Sequence, residues 1–105
     1  MSNLDAAIEA LSKGEIIVIT GDRFRRGDID FAIAAKHITP DAINFMARHG
    51  RGLICLSLTP ARAVKLGISL INPGSERQSG RPFGRSIEAR MDVTTGISAA
   101  DRAKT

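Results

Sequence analysis

Tryptophan and tyrosine are absent, and phenylalanine occurs only four times. Single-stranded nucleic acid is held by stacking its bases on exposed aromatic faces, so a stacking platform has little to be built from here. The lone cysteine, Cys55, excludes an internal disulfide. Fifteen Lys+Arg against eleven Asp+Glu give a formal net charge of +4. Because the acids are interspersed with the bases, this charge favours anionic ligands weakly and disfavours a nucleic-acid surface. No charged-then-apolar leader precedes the first amphipathic stretch, which points away from secretion and membrane insertion and makes the cytoplasm the expected compartment. Nor is the composition biased: 43% hydrophobic and 25% charged residues are close to ordinary globular usage. A chain of 105 residues is expected to form a single domain, residues 1–105, burying roughly two-thirds of the surface of its unfolded state.

Leu4, Ala7, Ile8 and Leu11 recur with helical spacing, opened by Ser2-x-x-Asp5 and closed by Gly14. That pattern predicts a first helix with a capping box. Ile16 to Ile19 is a β-branched run and predicts a buried strand, with Thr20-Gly21-Asp22 turning out of it into a polar loop that runs through Asp28. Phe31 to Ala35 is apolar without a clear period; strand and helical turn both fit, and strand is the reading preferred.

Thr39-Pro40-Asp41 starts a second helix, since the threonine oxygen can cap free N–H groups and Pro40 sits where no N–H is needed. Ile43, Met46 and Ala47 supply its inner face and Gly50 ends it. Leu53 to Leu56 reads as another buried strand, and Thr59-Pro60 repeats the helix start for a short helix stopped by Gly67. Residues 72–82 hold prolines, glycines and polar residues without a period, which predicts a loop before a short strand around Ser86 to Ala89. Ser98-x-x-Asp101 is a further capping pattern, with four residues after it. So short a helix needs tertiary support, and the pattern is expected to be either a terminal turn or the start of an element in a longer parent.

Three stretches carry a family likeness. They are Ile38-Thr39-Pro40-Asp41-Ala42-Ile43, Phe45-Met46-Ala47-Arg48-His49-Gly50-Arg51-Gly52-Leu53-Ile54-Cys55, and Val93-Thr94-Thr95-Gly96-Ile97-Ser98-Ala99-Ala100-Asp101-Arg102. In order and spacing the chain resembles the N-terminal half of the 3,4-dihydroxy-2-butanone 4-phosphate synthases. The resemblance implies an α+β fold, a mixed sheet with packed helices, in a truncated form of the family fold. It also implies a riboflavin-pathway lyase that converts ribulose 5-phosphate to 3,4-dihydroxy-2-butanone 4-phosphate and formate, with Mg²⁺, in a homodimer whose sites lie between subunits. Such chemistry needs carboxylates as acid and base, and a divalent cation to stabilise charge on neighbouring oxygens.

The family's acidic run resembles D-D-E-D-R-E-N-E-G-D. Here the corresponding stretch is Gly21-Asp22-Arg23-Phe24-Arg25-Arg26-Gly27-Asp28-Ile29-Asp30. By this correspondence Arg25 is a substrate-binding arginine, Asp30 a catalytic and substrate-binding aspartate, and Asp28 a shortened catalytic carboxylate. Arg26 stands at the position of the metal-ligand glutamate, and a guanidinium has no lone pair to offer a cation. No metal ligand is therefore assigned. Gly80-Arg81-Pro82-Phe83-Gly84-Arg85-Ser86 departs from a family stretch resembling G-T-x-F-T-V-S, and the family's C-terminal half, with its histidine ligand, has no counterpart by motif. An impaired or inactive enzyme is the expectation.

Blander readings accompany each of these residues. Arg25, Asp28 and Asp30 could form a solvated charged turn. Cys55, a substrate-binding candidate by resemblance, has the chemistry of a small buried hydrophobe. Thr95 is placed at the site's border by resemblance, though a threonine before glycine commonly satisfies local backbone. His49, one residue before a helix-ending glycine, is expected to bond terminal carbonyls rather than take part in catalysis. In the competing functional reading, Arg23, Arg25 and Arg26 bind a phosphorylated metabolite or nucleic acid without chemistry, and the nucleic-acid form would show as affinity for duplex DNA or RNA that falls steeply with salt.

Overall fold

The computed structural model describes residues 2–21, 26–71 and 82–105. It is an α+β arrangement of short helices with a two-stranded antiparallel sheet. Close contacts divide the chain into two compact units, Met1–Ile54 with Glu88–Thr105, and Cys55–Ile87.

In the first unit, helix α1 spans Asn3–Ser12 and begins with the expected capping box. The Asp5 N–H donates to Ser2 Oγ at 3.1 Å while the Ser2 N–H and hydroxyl donate to Asp5 Oδ2 at 3.3 and 2.7 Å. Lys13 Nζ reaches Glu9 Oε1 at 2.8 Å near the helix end, an exposed pair worth about 0.3–0.5 kcal/mol. Strand β1, Ile17–Thr20, pairs with β2, Ile29–Ala32, placing Val18 opposite Phe31 and Ile19 opposite Asp30. The segment Phe31 to Ala35 therefore contains both conformations considered for it: strand to Ala32, then a 3-10 turn over Ala35–His37.

Helix α2, Pro40–Phe45, opens on Thr39, whose Oγ1 accepts from the Ala42 N–H at 3.1 Å. It continues as a π-helical turn, Met46–Gly50, which closes at Arg51 in the left-handed region. Helix α4, Ala99–Lys104, begins at the predicted Ser98 cap and packs on α2, which is the support so short a helix requires. Ile43 of α2, 3% exposed, is the buried apolar centre among the described residues.

The second unit contains α3, Pro60–Lys65, capped by Thr59 Oγ1 at 3.2 Å from the Arg62 N–H. It also contains an antiparallel bridge between Leu70 and Gly84. Two expected strands are absent there and at its borders. Neither Leu53–Leu56 nor Ser86–Ala89 joins a ladder among the described residues. A β-rich run becomes a strand only where a partner lies alongside, and pairing falls instead at Leu70–Gly84. The expected loop at 72–82 lies, except for Pro82, outside the described residues. No helix among the described residues is long and apolar enough to cross a membrane.

Candidate functional site

An open cleft of about 260 Å³ lies within the first unit, between β2, the π-helical turn and the segment that follows it. Asp30 and Phe31 come from β2, Met46 and His49 from the turn, and Leu53 and Ile54 from the chain beyond. Two of its lining rings, Phe31 and His49, pack against Phe45. Phe31 and Phe45 lie with centroids 5.4 Å apart at 53°, and Phe45 and His49 at 4.7 Å and 50°, tilted geometries that suit aromatic quadrupoles. Gly50 lets the turn close on the strand: a Cβ at this position would stand 3.3 Å from the Phe31 ring, tighter than ordinary van der Waals contact.

Asp30 is exposed on β2, and Asp28 is half-buried just before the strand. Asp28 thus stands two residues before Asp30 and outside the strand, and Arg26, exposed, precedes both in sequence. Arg23 and Arg25 lie outside the described residues. Cys55 is an exposed thiol in the second unit, not the buried hydrophobe of the bland reading. Thr95 is exposed, and its Oγ1 accepts from the Ile97 N–H at 3.4 Å, the local backbone role weighed for it. The structure thus gathers Asp30 with His49 at one cleft. Sequence reasoning missed the position of His49, which stacks on Phe45; the terminal carbonyl of Arg48 is met by Arg51 Nε at 3.4 Å. The i, i+4 spacing of Phe45 and His49 was the signal that could have shown it.

A second carboxylate was read only as part of a cap. Asp101, 6% exposed, accepts at Oδ2 from the Thr94 N–H at 3.0 Å, the Thr94 hydroxyl at 2.9 Å and the Gly96 N–H at 3.0 Å. Its own N–H donates to Ser98 Oγ at 3.0 Å. Burial alone would raise the carboxyl pKa, but the bonds from the Thr94 and Gly96 backbone and from the Thr94 and Ser98 hydroxyls outweigh it, so the group is held below its usual range. Gly96 sits at φ 82°, and a Cβ there would lie 2.5 Å from Glu88 Oε2. This carboxylate organises the Thr94–Ser98 turn.

The sequence profile of the 3,4-dihydroxy-2-butanone 4-phosphate synthases matches residues 5–105. The chain belongs to this family. Relatives of this synthase-family chain include the riboflavin biosynthesis protein RibBA of Aquifex aeolicus, 43% identical over 99% of the chain and 26% of its own length. The 3,4-dihydroxy-2-butanone 4-phosphate synthase of Photobacterium phosphoreum is 41% identical over 100% of the chain and 29% of its own length, and that of Agrobacterium fabrum 38% over 100% and 49%. The chain thus spans between a quarter and a half of the curated relatives it matches. A crystal structure of 3,4-dihydroxy-2-butanone 4-phosphate synthase in complex with two magnesium ions superposes with a TM-score of 0.87 at 36% identity, covering 98% of this chain and 48% of that one. The α+β fold expected of the family is therefore the fold observed.

Proposed function

We propose that this synthase-family chain binds ribulose 5-phosphate at the cleft bordered by Asp30, and that on its own it is impaired or inactive in converting it to 3,4-dihydroxy-2-butanone 4-phosphate and formate. The observation that carries the reading is the meeting of Asp30 with the π-helical turn: an exposed carboxylate stands over an open, partly apolar cleft in a chain of this family. In the proposed roles, Arg25 holds phosphate, Asp30 holds a sugar hydroxyl and moves a proton, Asp28 assists it, and Thr95 contacts substrate; Cys55, a candidate by resemblance alone, belongs to the second unit and takes no role in this cleft.

The impairment rests on the donor set. Mg²⁺ takes several hard oxygen ligands, and the magnesium-bound relative shows that a member of the family takes this ion. At the family's glutamate position this chain has Arg26, which repels a cation. Among the described residues no three His, Cys, Asp or Glu side chains are grouped to hold a metal ion. These residues by themselves do not fit Mg²⁺, and no step is assigned to it. Assembly as a homodimer belongs to the same proposal and is checked by light scattering.

Titration with ribulose 5-phosphate, with and without Mg²⁺, by calorimetry together with a formate assay, tests the reading. The expected result is binding that survives metal removal, weakens in Asp30→Ala and yields no formate. Formate release at a rate abolished by Asp30→Ala would overturn the impairment, and absence of binding would overturn the site.

A further inference from the structure

The side chains that line the cleft are apolar except for Asp30 and His49; Ile29, Phe31, Met46, Leu53 and Ile54 supply the rest. The two polar groups have opposite hydrogen-bonding character. An ionised carboxylate only accepts, whereas an imidazole carries at least one N–H donor whichever form it takes. A sugar phosphate brings both kinds of partner: hydroxyls that donate, and carbonyl and phosphate oxygens that only accept. Asp30 can meet the first and repels the second. Among the described residues, His49 is the side chain of the lining that can donate to the second.

The imidazole is also held in place. His49 packs on Phe45 at 4.7 Å and Phe45 on Phe31 at 5.4 Å, and Phe31 follows Asp30 directly on β2. These rings tie the turn that carries the imidazole to the strand that carries the carboxylate. Gly50 permits the approach, since a Cβ there would stand 3.3 Å from the Phe31 ring. His49 nevertheless stays exposed, so the packing leaves part of its ring open to a ligand. A donor fixed by packing loses little freedom when a ligand arrives. We infer that His49 is a further substrate-contacting residue of this cleft, its ring N–H donating to an acceptor oxygen of ribulose 5-phosphate while Asp30 accepts from a hydroxyl. This role rests on the binding of ribulose 5-phosphate proposed for the same cleft. It does not require turnover, and binding alone reads it.

The test separates the N–H from the ring. His49→Phe keeps a ring against Phe45 and removes the donor, whereas His49→Gln removes the ring and keeps an N–H donor. In calorimetric titrations of the full chain with ribulose 5-phosphate, His49→Phe should bind about tenfold more weakly than the parent, the loss of one hydrogen bond, with Tm unchanged. His49→Gln should lie closer to the parent in affinity. A packing role alone gives the reverse order, with His49→Gln the weaker binder and the lower in Tm; that order overturns the inference, as does a His49→Phe affinity equal to the parent's. A parent that binds no ribulose 5-phosphate overturns the proposed site as well. A parent that binds, and loses affinity in Asp30→Ala but not in His49→Phe, leaves the site standing and removes His49 from it. The chain has two histidines, so the imidazole NMR resonances missing from His49→Phe identify His49. They should move on addition of ribulose 5-phosphate, and resonances that stay fixed at saturation overturn the contact. Inorganic phosphate as a second probe tells which oxygen is met: an equal loss of phosphate affinity in His49→Phe assigns the contact to the phosphate group, and an unchanged phosphate affinity assigns it to an oxygen of the sugar.

Discussion

At the turn before α4, one carboxylate is buried and accepts three hydrogen bonds from its own neighbourhood. At the foot of the β1–β2 ribbon, two carboxylates follow Arg25 and Arg26 in sequence, and one of them is open to solvent beside a cleft. Both regions lie within stretches that resemble the same family, yet they have opposite physical character. In the first, the acid is committed to backbone donors, and its removal leaves N–H groups without acceptors, so its cost falls on folding. In the second, the acid is exposed and its loss should fall on ligand binding. A conspicuous aspartate can thus be buried in its own turn or exposed beside a cleft, and burial separates the two.

The sharpest way to break this contrast is Asp101→Ala. It orphans the Thr94 and Gly96 N–H groups and is expected to lower Tm by more than about 5 °C, read by calorimetry; an unchanged Tm would remove Asp101 as the organiser of the turn. Asp101→Asn keeps acceptor capacity and should cost less. The same residue gives a pH dependence. Its folded pKa is lowered, so the stability it contributes is present above the unfolded carboxylate range and is lost as pH falls through the lower, folded value. Urea midpoints measured downward from pH 5 should fall less steeply in Asp101→Asn than in the parent.

Gly96→Ala comes next. The positive φ alone costs roughly 1–2 kcal/mol for a residue with a Cβ, and Glu88 must also move; denaturant midpoints measure the sum, and Glu88→Ala in the same background should recover part of it. Thr39→Ala, which removes the cap of α2, should cost about 1 kcal/mol. Smallest of all is Asp30→Asn, expected to change stability by no more than about 0.5 kcal/mol while weakening ribulose 5-phosphate binding. A large stability loss there would erase the difference between the two regions.

Helix starts were legible because a cap is local chemistry: Ser2, Thr39, Thr59 and Ser98 each accept the N–H bond their sequence context announces. Strands were less so. Ile17–Thr20 found a partner in β2, whereas the equally β-rich Leu53–Leu56 joined no ladder among the described residues, and nothing within such a run specifies its neighbour. The family could be read from motifs, whereas that Asp30 borders a cleft with His49 came only with the fold. Asp101 could be read only in part, because Ser98-x-x-Asp101 announces a cap but not that the carboxylate turns toward Thr94 and Gly96. Those N–H groups in a tight turn were the missing clue.

The π-helical turn at Met46–Gly50 also limits how this segment can change in length. A wide turn holds one residue more than an α-helical turn of the same rise, so the segment is out of phase with α2. Deleting one residue between 46 and 50 would let the helix run on regularly and turn everything after it by about 100°. His49 would leave the stack on Phe45, and Gly50 would no longer face the Phe31 ring. One-residue deletions, usually tolerated in loops, should here dismantle one wall of the cleft while leaving the helix itself more regular than before.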